Sequence, residues 1–111
     1  MNNNIAVNLL GILGNDIRLI IFRMLIQAGK KGLKPRQISS ELEIKPNKLS
    51  FHLNKLKTCD LIFSKKDGRE ITYSANYILS QELIEFLFDN CCKDDSERNC
   101  IDLNKNNKNI A

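Results

Sequence analysis

Apolar residues recur at positions 5, 9, 10, 12 and 13 behind an Asn-rich start, which predicts a short amphipathic helix over Ile5 to Leu13. Gly14 interrupts it, and Asn15 is suited to cap a second helix running to about Ala28. Within that helix Ile17, Ile20, Ile21, Met24, Leu25 and Ala28 predict a continuous buried stripe, and Gly29 predicts its end. A basic connector from Lys30 to Lys34 leads to Pro35, which fits the first turn of a third helix. That helix ends near Leu42, with Ile38 and Leu42 four apart on one face. Pro46 opens a fourth helix whose Leu49, Leu53 and Leu56 point inward. Two short helices separated by Glu43-Ile44-Lys45 read as a helix-turn-helix.

Beyond the fourth helix the pattern changes. Ile62-Phe63-Ser64 and Ile71-Thr72-Tyr73 read as strands, joined by Lys65-Lys66-Asp67-Gly68-Arg69-Glu70 with its Asp-Gly turn signal. A last helix is predicted from about Ser80 to Asn90. Leu83, Ile84, Phe86, Leu87 and Phe88 give it more apolar side chains than one buried stripe uses, so it is expected to cover both its own domain and a partner. The fold class is mostly α with a small β-hairpin, a winged helix-turn-helix. Residues 1–100 are expected to form one DNA-binding and dimerisation domain, and residues 101–111, mostly Asn, Lys and Asp, a disordered tail.

Composition sharpens this picture at three points. A chain of 111 residues fits one domain with a modest core, which dimerisation would enlarge. No run of about 18 apolar residues is present, and the start lacks the basic and apolar regions of a secretory signal, so a cytoplasmic protein without a membrane partner is expected. The net charge of +4 is unevenly spread. From Lys30 to Lys57 eight Lys or Arg stand against Glu41 and Glu43, whereas from Gln81 to Asp102 seven Asp or Glu stand against Lys93 and Arg98. The middle is suited to a polyanion; two solvated surfaces of opposite sign would give the same count.

On the fourth helix Asn47, Phe51 and Lys55 lie opposite the leucines, with Lys48 and Asn54 beside them and Ser50 and His52 on the flanks. Asn can bond adenine, Lys can meet guanine or phosphate, and Phe can touch a thymine methyl in a major groove. A solvated face with one stray aromatic is the competing reading of the helix alone. Lys65, Lys66 and Arg69 at the hairpin tip are placed to straddle a phosphate backbone or enter the minor groove. Together with Lys45 these residues form the expected contact set for double-stranded operator DNA. A winged domain that binds protein instead remains the rival from another class. His52, the single histidine, reads as a capping or phosphate-contacting side chain. No Ser/His/Asp set, Gly-rich phosphate loop or paired acids in an apolar setting is present, so no enzyme is expected.

The segment Ile12-Leu13-Gly14-Asn15-Asp16-Ile17-Arg18-Leu19-Ile20-Ile21 resembles the opening of the ArsR/SmtB metalloregulatory repressors. Lys48-Leu49-Ser50-Phe51-His52-Leu53-Asn54-Lys55-Leu56 is similar to that family's recognition helix, and Leu61-Ile62, Asp67-Gly68-Arg69 and Tyr73 resemble its wing. The resemblance implies repression released by a ligand. It also implies a homodimer paired through the first and last helices, which puts Ile5, Leu9, Leu83, Phe86, Leu87 and Phe88 at the seam. Two of the family's sensor sites have no counterpart here: Gly32 to Leu42 contains no cysteine, and Tyr77 to Asn90 contains no histidine.

Cysteines then carry the sensor question. Three of the four lie within ten residues of one another, and the expected compartment does not favour a disulfide framework. Cys91, Cys92 and Cys100 form a Cys-Cys-x7-Cys group that resembles the tail of one arsenite-responsive branch of the family. Adjacent residues on a continuing helix point about 100° apart, so two sulfurs converge only if the helix breaks. Asn90 is suited to the left-handed conformation that ends a helix, and the polar stretch Lys93 to Asn99 can loop back. Three thiolates favour a soft centre such as As(III) or Sb(III), with no organic cofactor. Zinc would need a fourth ligand from Asp94, Asp95 or water. Redox sensing by the same thiols and cysteines merely scattered in a tail are the other readings. Cys59 is expected to be a buried packing residue.

Overall fold

Asn2 opens the first helix, α1 (Asn3–Leu13), by accepting a hydrogen bond from the Ile5 amide at 2.9 Å in the computed structural model, which describes residues 1–94. What is expected of Cys100 and of the tail at 101–111 lies outside those residues. Asn15 caps α2 (Asp16–Ala28) in the predicted way, its side chain accepting from the Arg18 amide at 3.0 Å. Gly29 ends α2 with φ +78°, and a short 3-10 turn, Gly29–Lys31, follows. Pro35 stands at the start of α3 (Pro35–Leu42), where Gln37 Oε1 accepts from the Lys34 amide at 2.7 Å. Glu43 breaks α3 in a left-handed conformation before Pro46 opens α4 (Pro46–Thr58).

The core gathers one side of every helix over the base of the hairpin. Leu9 of α1, Ile21 and Leu25 of α2, Ile38 of α3 and Leu49, Leu53 and Leu56 of α4 are at most 2% exposed, beside Leu61 and Ile62 at the hairpin base. The stripe predicted for α2 largely holds, with Ile21 and Leu25 buried and Ile17 and Met24 packed against the core, but it differs at two positions. Phe22 is buried in it, while Ile20 lies 47% exposed next to Leu19. Helical spacing marks an apolar face but cannot say which of two adjacent apolar columns meets the domain's own core, and α2 carries both.

The strands are longer than their apolar cores suggest. β1 (Ile62–Asp67) pairs antiparallel with β2 (Glu70–Ala75), from Ile62 opposite Ala75 to Asp67 opposite Glu70. The lysines of β1 pair across the ladder although they read as loop by composition. Gly68 and Arg69 form the two-residue turn, with Gly68 at φ +66° in the first central position, as a type II′ turn requires. The connector before α3 joins this hairpin: the Leu33 amide donates to the Tyr73 carbonyl at 2.9 Å and the Tyr73 amide returns the bond at 2.8 Å. Gly32 permits that approach. Its φ is +66°, and a Cβ there would collide with the Tyr73 carbonyl oxygen.

The last helix, α5 (Tyr77–Phe88), begins three residues before Ser80 because Asn76 caps it, accepting from the Leu79 amide at 3.1 Å. The Tyr77 hydroxyl anchors this end by donating to the carbonyls of Leu25 and Ile26 at 3.2 and 3.1 Å. Among the described residues no single helix is long and apolar enough to cross a membrane.

Candidate nucleic-acid interface and sensor cysteines

α4 owes its outer face to the leucines on its inner one. With Leu49, Leu53 and Leu56 buried against the rest of the domain, Lys45, Asn47, Lys48, Ser50, Phe51 and Lys55 are all exposed along one side and at its opening turn. Phe51 is 56% exposed, a large apolar ring on a polar surface. Lys55 Nζ lies 5.4 Å from the Phe51 ring centroid, a cation–π arrangement that keeps both groups outward. Asn47 Oδ1 accepts from the Lys48 amide at 2.9 Å and so steadies the first turn.

His52 departs from its expected place. It is not on a solvated flank but only 6% exposed, its ring meeting Phe51 edge-on with centroids 5.3 Å apart. Arg18 of α2 reaches it, with Nη1 3.1 Å from His52 Nδ1, while Arg18 Nε donates to the Ile12 carbonyl at 2.7 Å. Burial first, then the charges of Arg18 and Lys48, hold the histidine below its ordinary pKa of 6.5. His52 is therefore corrected from a phosphate-contacting side chain to a buried, neutral partner of Arg18. A 100° wheel places it on a flank but cannot show that α2 covers that flank.

Lys65, Lys66 and Arg69 stand exposed on the hairpin around Gly68, as expected. Two other cations of the basic middle are already engaged. Glu70 at the start of β2 pairs with Lys34, and its other oxygen lies 3.4 Å from Arg36 Nη2. The bond from Lys34, then the charges of Lys34 and Arg36, hold the Glu70 carboxyl below the usual carboxylate range. The excess of positive charge on offer is smaller than the sequence count; it is shared by α4, the hairpin tip and the exposed Lys30 and Lys31 of the turn after α2.

The residues expected at a dimer seam divide. Ile5, Leu87 and Phe88 are 47%, 54% and 42% exposed, and Phe86 is half-buried against the core. Leu9 and Leu83 are corrected: they are 2% and 5% exposed because they fill the core of their own chain, leaving no surface for a second one. Val7 and Leu10 of α1 and Ile78 and Ile84 of α5 extend the exposed apolar surface instead. Their apolar character was visible in the sequence, but nothing there said which columns the core would claim.

α5 ends at Phe88, two residues earlier than expected, because Asp89 already leaves the helical conformation; Asn90, expected to end it, lies beyond the cap. Asn90 takes φ +61° and Cys92 φ +60°, and the Cys91 amide donates to the Phe88 carbonyl at 2.8 Å. The sulfurs of Cys91 and Cys92 lie 3.4 Å apart. Cys91 is a free thiol. The third member of the expected site, Cys100, lies outside the described residues, and among those described no group of three His, Cys, Asp or Glu could hold a metal ion. Cys59 is half-buried, its thiol donating to the Leu56 carbonyl at 3.4 Å, and burial pushes its pKa up. A protonated, packed thiol of this kind is a poor nucleophile and a poor ligand.

Residues 15–64 match the family described as bacterial regulatory protein, arsR family. Among solved structures the chain is similar to HlyU from Vibrio cholerae N16961, with 31% identity over 83% of this chain and 99% of that one and a TM-score of 0.65. It is similar to an ArsR-like transcriptional regulator from Rhodococcus sp. RHA1, with 25% identity over 76% of each chain and a TM-score of 0.66. The homodimeric winged helix-turn-helix DNA-binding domain Mb0332 from Mycobacterium bovis shares the fold, at 18% identity over 77% of this chain and 83% of that one, with a TM-score of 0.59. No match was found among curated proteins.

Proposed function

The chain belongs to the arsR family of bacterial regulatory proteins, and on that premise we propose that it is a homodimeric repressor that leaves its operator when As(III) or Sb(III) binds Cys91, Cys92 and Cys100. The family is one of transcriptional regulators rather than enzymes, and its helix-turn-helix is a DNA-binding domain. The observation that carries the reading is the outward face of α4, where Asn47, Lys48, Ser50, Phe51 and Lys55 stand exposed over three buried leucines. Two copies of α4 enter successive major grooves, with the basic hairpin tips on the flanking backbone. A cytoplasmic location with access to DNA follows from that role. Lys48→Ala and Arg69→Ala each weaken binding to a duplex selected by the wild-type chain, and removing a cation that neutralises a phosphate lowers the salt slope by about one unit. Unchanged affinity and slope in the double variant contradict the docking face.

The inducer reading is supported by the sulfur geometry. With metal–sulfur bonds of about 2.3 Å, sulfurs 3.4 Å apart subtend about 95° at a shared centre, tighter than the tetrahedral angle of about 109°. A pyramidal three-sulfur ion with a lone pair suits that spacing better than zinc, and it needs no fourth ligand. Ion binding requires the thiols in their reduced form. Ligation at the end of α5, whose outer face is assigned to the dimer seam, favours a dimer in which the α4 helices fit the operator worse. Coupling of this kind is typically worth about 5- to 150-fold in affinity.

The closeness of the two sulfurs also favours a second reading, redox control. Two tail thiols give two electrons and two protons to hydrogen peroxide, forming the S–S bond and two waters, and the oxidised dimer binds DNA differently. Release by hydrogen peroxide with no response of the reduced chain to arsenite selects this alternative.

A further inference from the structure

Arg18 joins three helices with one side chain. Its backbone amide donates to the capping Asn15 Oδ1, its Nε donates to the Ile12 carbonyl at 2.7 Å, and its Nη1 lies 3.1 Å from His52 Nδ1 on α4. Ile12 is in the last turn of α1, where carbonyls have no partner inside their own helix. A guanidinium carries only donors, so the contact to His52 requires Nδ1 to be the bare acceptor and the ring proton to sit on Nε2.

We propose that Arg18 is a positioning residue for DNA reading, fixing α4 to the α1–α2 corner through a bond that only neutral His52 can accept, so that acidification loosens the recognition helix. The inference rests on the reading of α4 as the DNA-contacting helix. Leu49, Leu53 and Leu56 hold α4 in place by apolar burial, which is non-directional. The bond to His52 is directional and sets how the helix is turned about its own axis. Phe51 is next to His52 in the chain, and Lys48 and Lys55 lie one turn to either side. Any rotation that breaks the Arg18 bond therefore moves all three groups offered to the groove.

Protonation at Nδ1 turns the acceptor into a donor aimed at a donor. It also places a positive ring beside Arg18, from α2, and Lys48, from α4 itself, while α1 contributes only the Ile12 carbonyl, held by Arg18. Above the ordinary histidine value of 6.5 the ring is neutral in folded and unfolded chains alike and the bond is fully present. Below it the unfolded or loosened chain takes up the proton first, because the folded value is lowered, and the bond is lost as pH falls through that lowered value. Affinity for DNA then falls on acidification, against the usual gain from added positive charge.

The test compares wild type, Arg18→Met, His52→Asn and His52→Leu on a duplex selected from a random library by the wild-type chain, with binding followed by fluorescence anisotropy between about pH 5.5 and about pH 7.5. Asn offers an oxygen near the Nδ1 position and does not titrate. Wild type loses up to about tenfold in affinity at the acid end. His52→Asn keeps the neutral-pH affinity without the acid loss. Arg18→Met and His52→Leu bind more weakly at neutral pH. Ring nitrogen shifts of the wild-type chain place the His52 proton on Nε2, a readout independent of DNA. An acid loss in His52→Asn equal to that of wild type overturns the proposal, as does a ring proton on Nδ1 at neutral pH. Selection of no duplex by a wild-type chain with the expected ring state overturns the assignment of α4 to DNA reading, and the positioning role with it.

Discussion

Phe51 and His52 are neighbours in the chain with opposite fates. One ring is left outside by its position opposite the leucines, and the other is drawn in by a partner on another helix. An aromatic ring at 56% exposure contributes little to stability, so Phe51→Ala should change the unfolding free energy by no more than about 0.5 kcal/mol. The same substitution should weaken duplex binding several-fold, because the groove-facing surface no longer carries an apolar ring to meet a thymine methyl. Thermal melting and a binding isotherm on the same variant separate the two effects. A large loss of melting temperature would place Phe51 in the core. His52 shows the limit of a wheel drawn from one helix: its chemistry is set by Arg18, 34 positions earlier, and no local pattern pairs them.

At the level of elements, the hairpin depends on a glycine outside it. Gly32→Ala must hold a Cβ at a positive φ and against the Tyr73 carbonyl oxygen, and it should cost more than about 1 kcal/mol in a denaturant titration. The equivalent change at Gly68 meets open space and carries only the backbone strain. A Gly32→Ala variant as stable as Gly68→Ala would show that the connector and β2 are not held together as described. Most elements are legible in the sequence, because Asn15, Gly29, Pro35 and Pro46 act through local backbone geometry that a single chain displays. The full length of the strands is not, since Lys65 and Lys66 are polar and their pairing depends on β2 rather than on their own propensity. The start of α5 is hidden because Asn76 precedes Tyr77-Ile78-Leu79, a run whose bulky apolar residues do not by themselves signal a first turn. The link from Leu33 to Tyr73 has no signal at all beyond Gly32, whose requirement is visible only once β2 lies against it.

For the molecule as a whole, α1 and α5 leave an apolar surface that one chain does not cover. Leu87 is exposed on α5, so Leu87→Asp should leave each chain folded while burying an unpaired charge in any seam built there. Sedimentation should then report monomers with wild-type helix content. An intact dimer would move the seam elsewhere. The proposed seam reads in the sequence as an excess of apolar residues on α5, but which residues would form it does not. Leu9 and Leu83 show that the core of the chain takes its share first, and only burial in three dimensions tells the two sets apart.

The cysteine pair at the end of α5 is where this assembly is proposed to meet its signal, and a titration of arsenite into the reduced protein–duplex complex tests that most directly. The wild-type chain should release the duplex, Cys91→Ser, Cys92→Ser and Cys100→Ser should each bind it but no longer release it, and Cys59→Ser should release it like wild type. A hydroxyl is a poor ligand for a soft ion, and binding should tighten from about pH 6 to about pH 8 as the thiols lose their protons. Release of the duplex by arsenite from a chain lacking residues 91–111 would place the sensor elsewhere than in these cysteines.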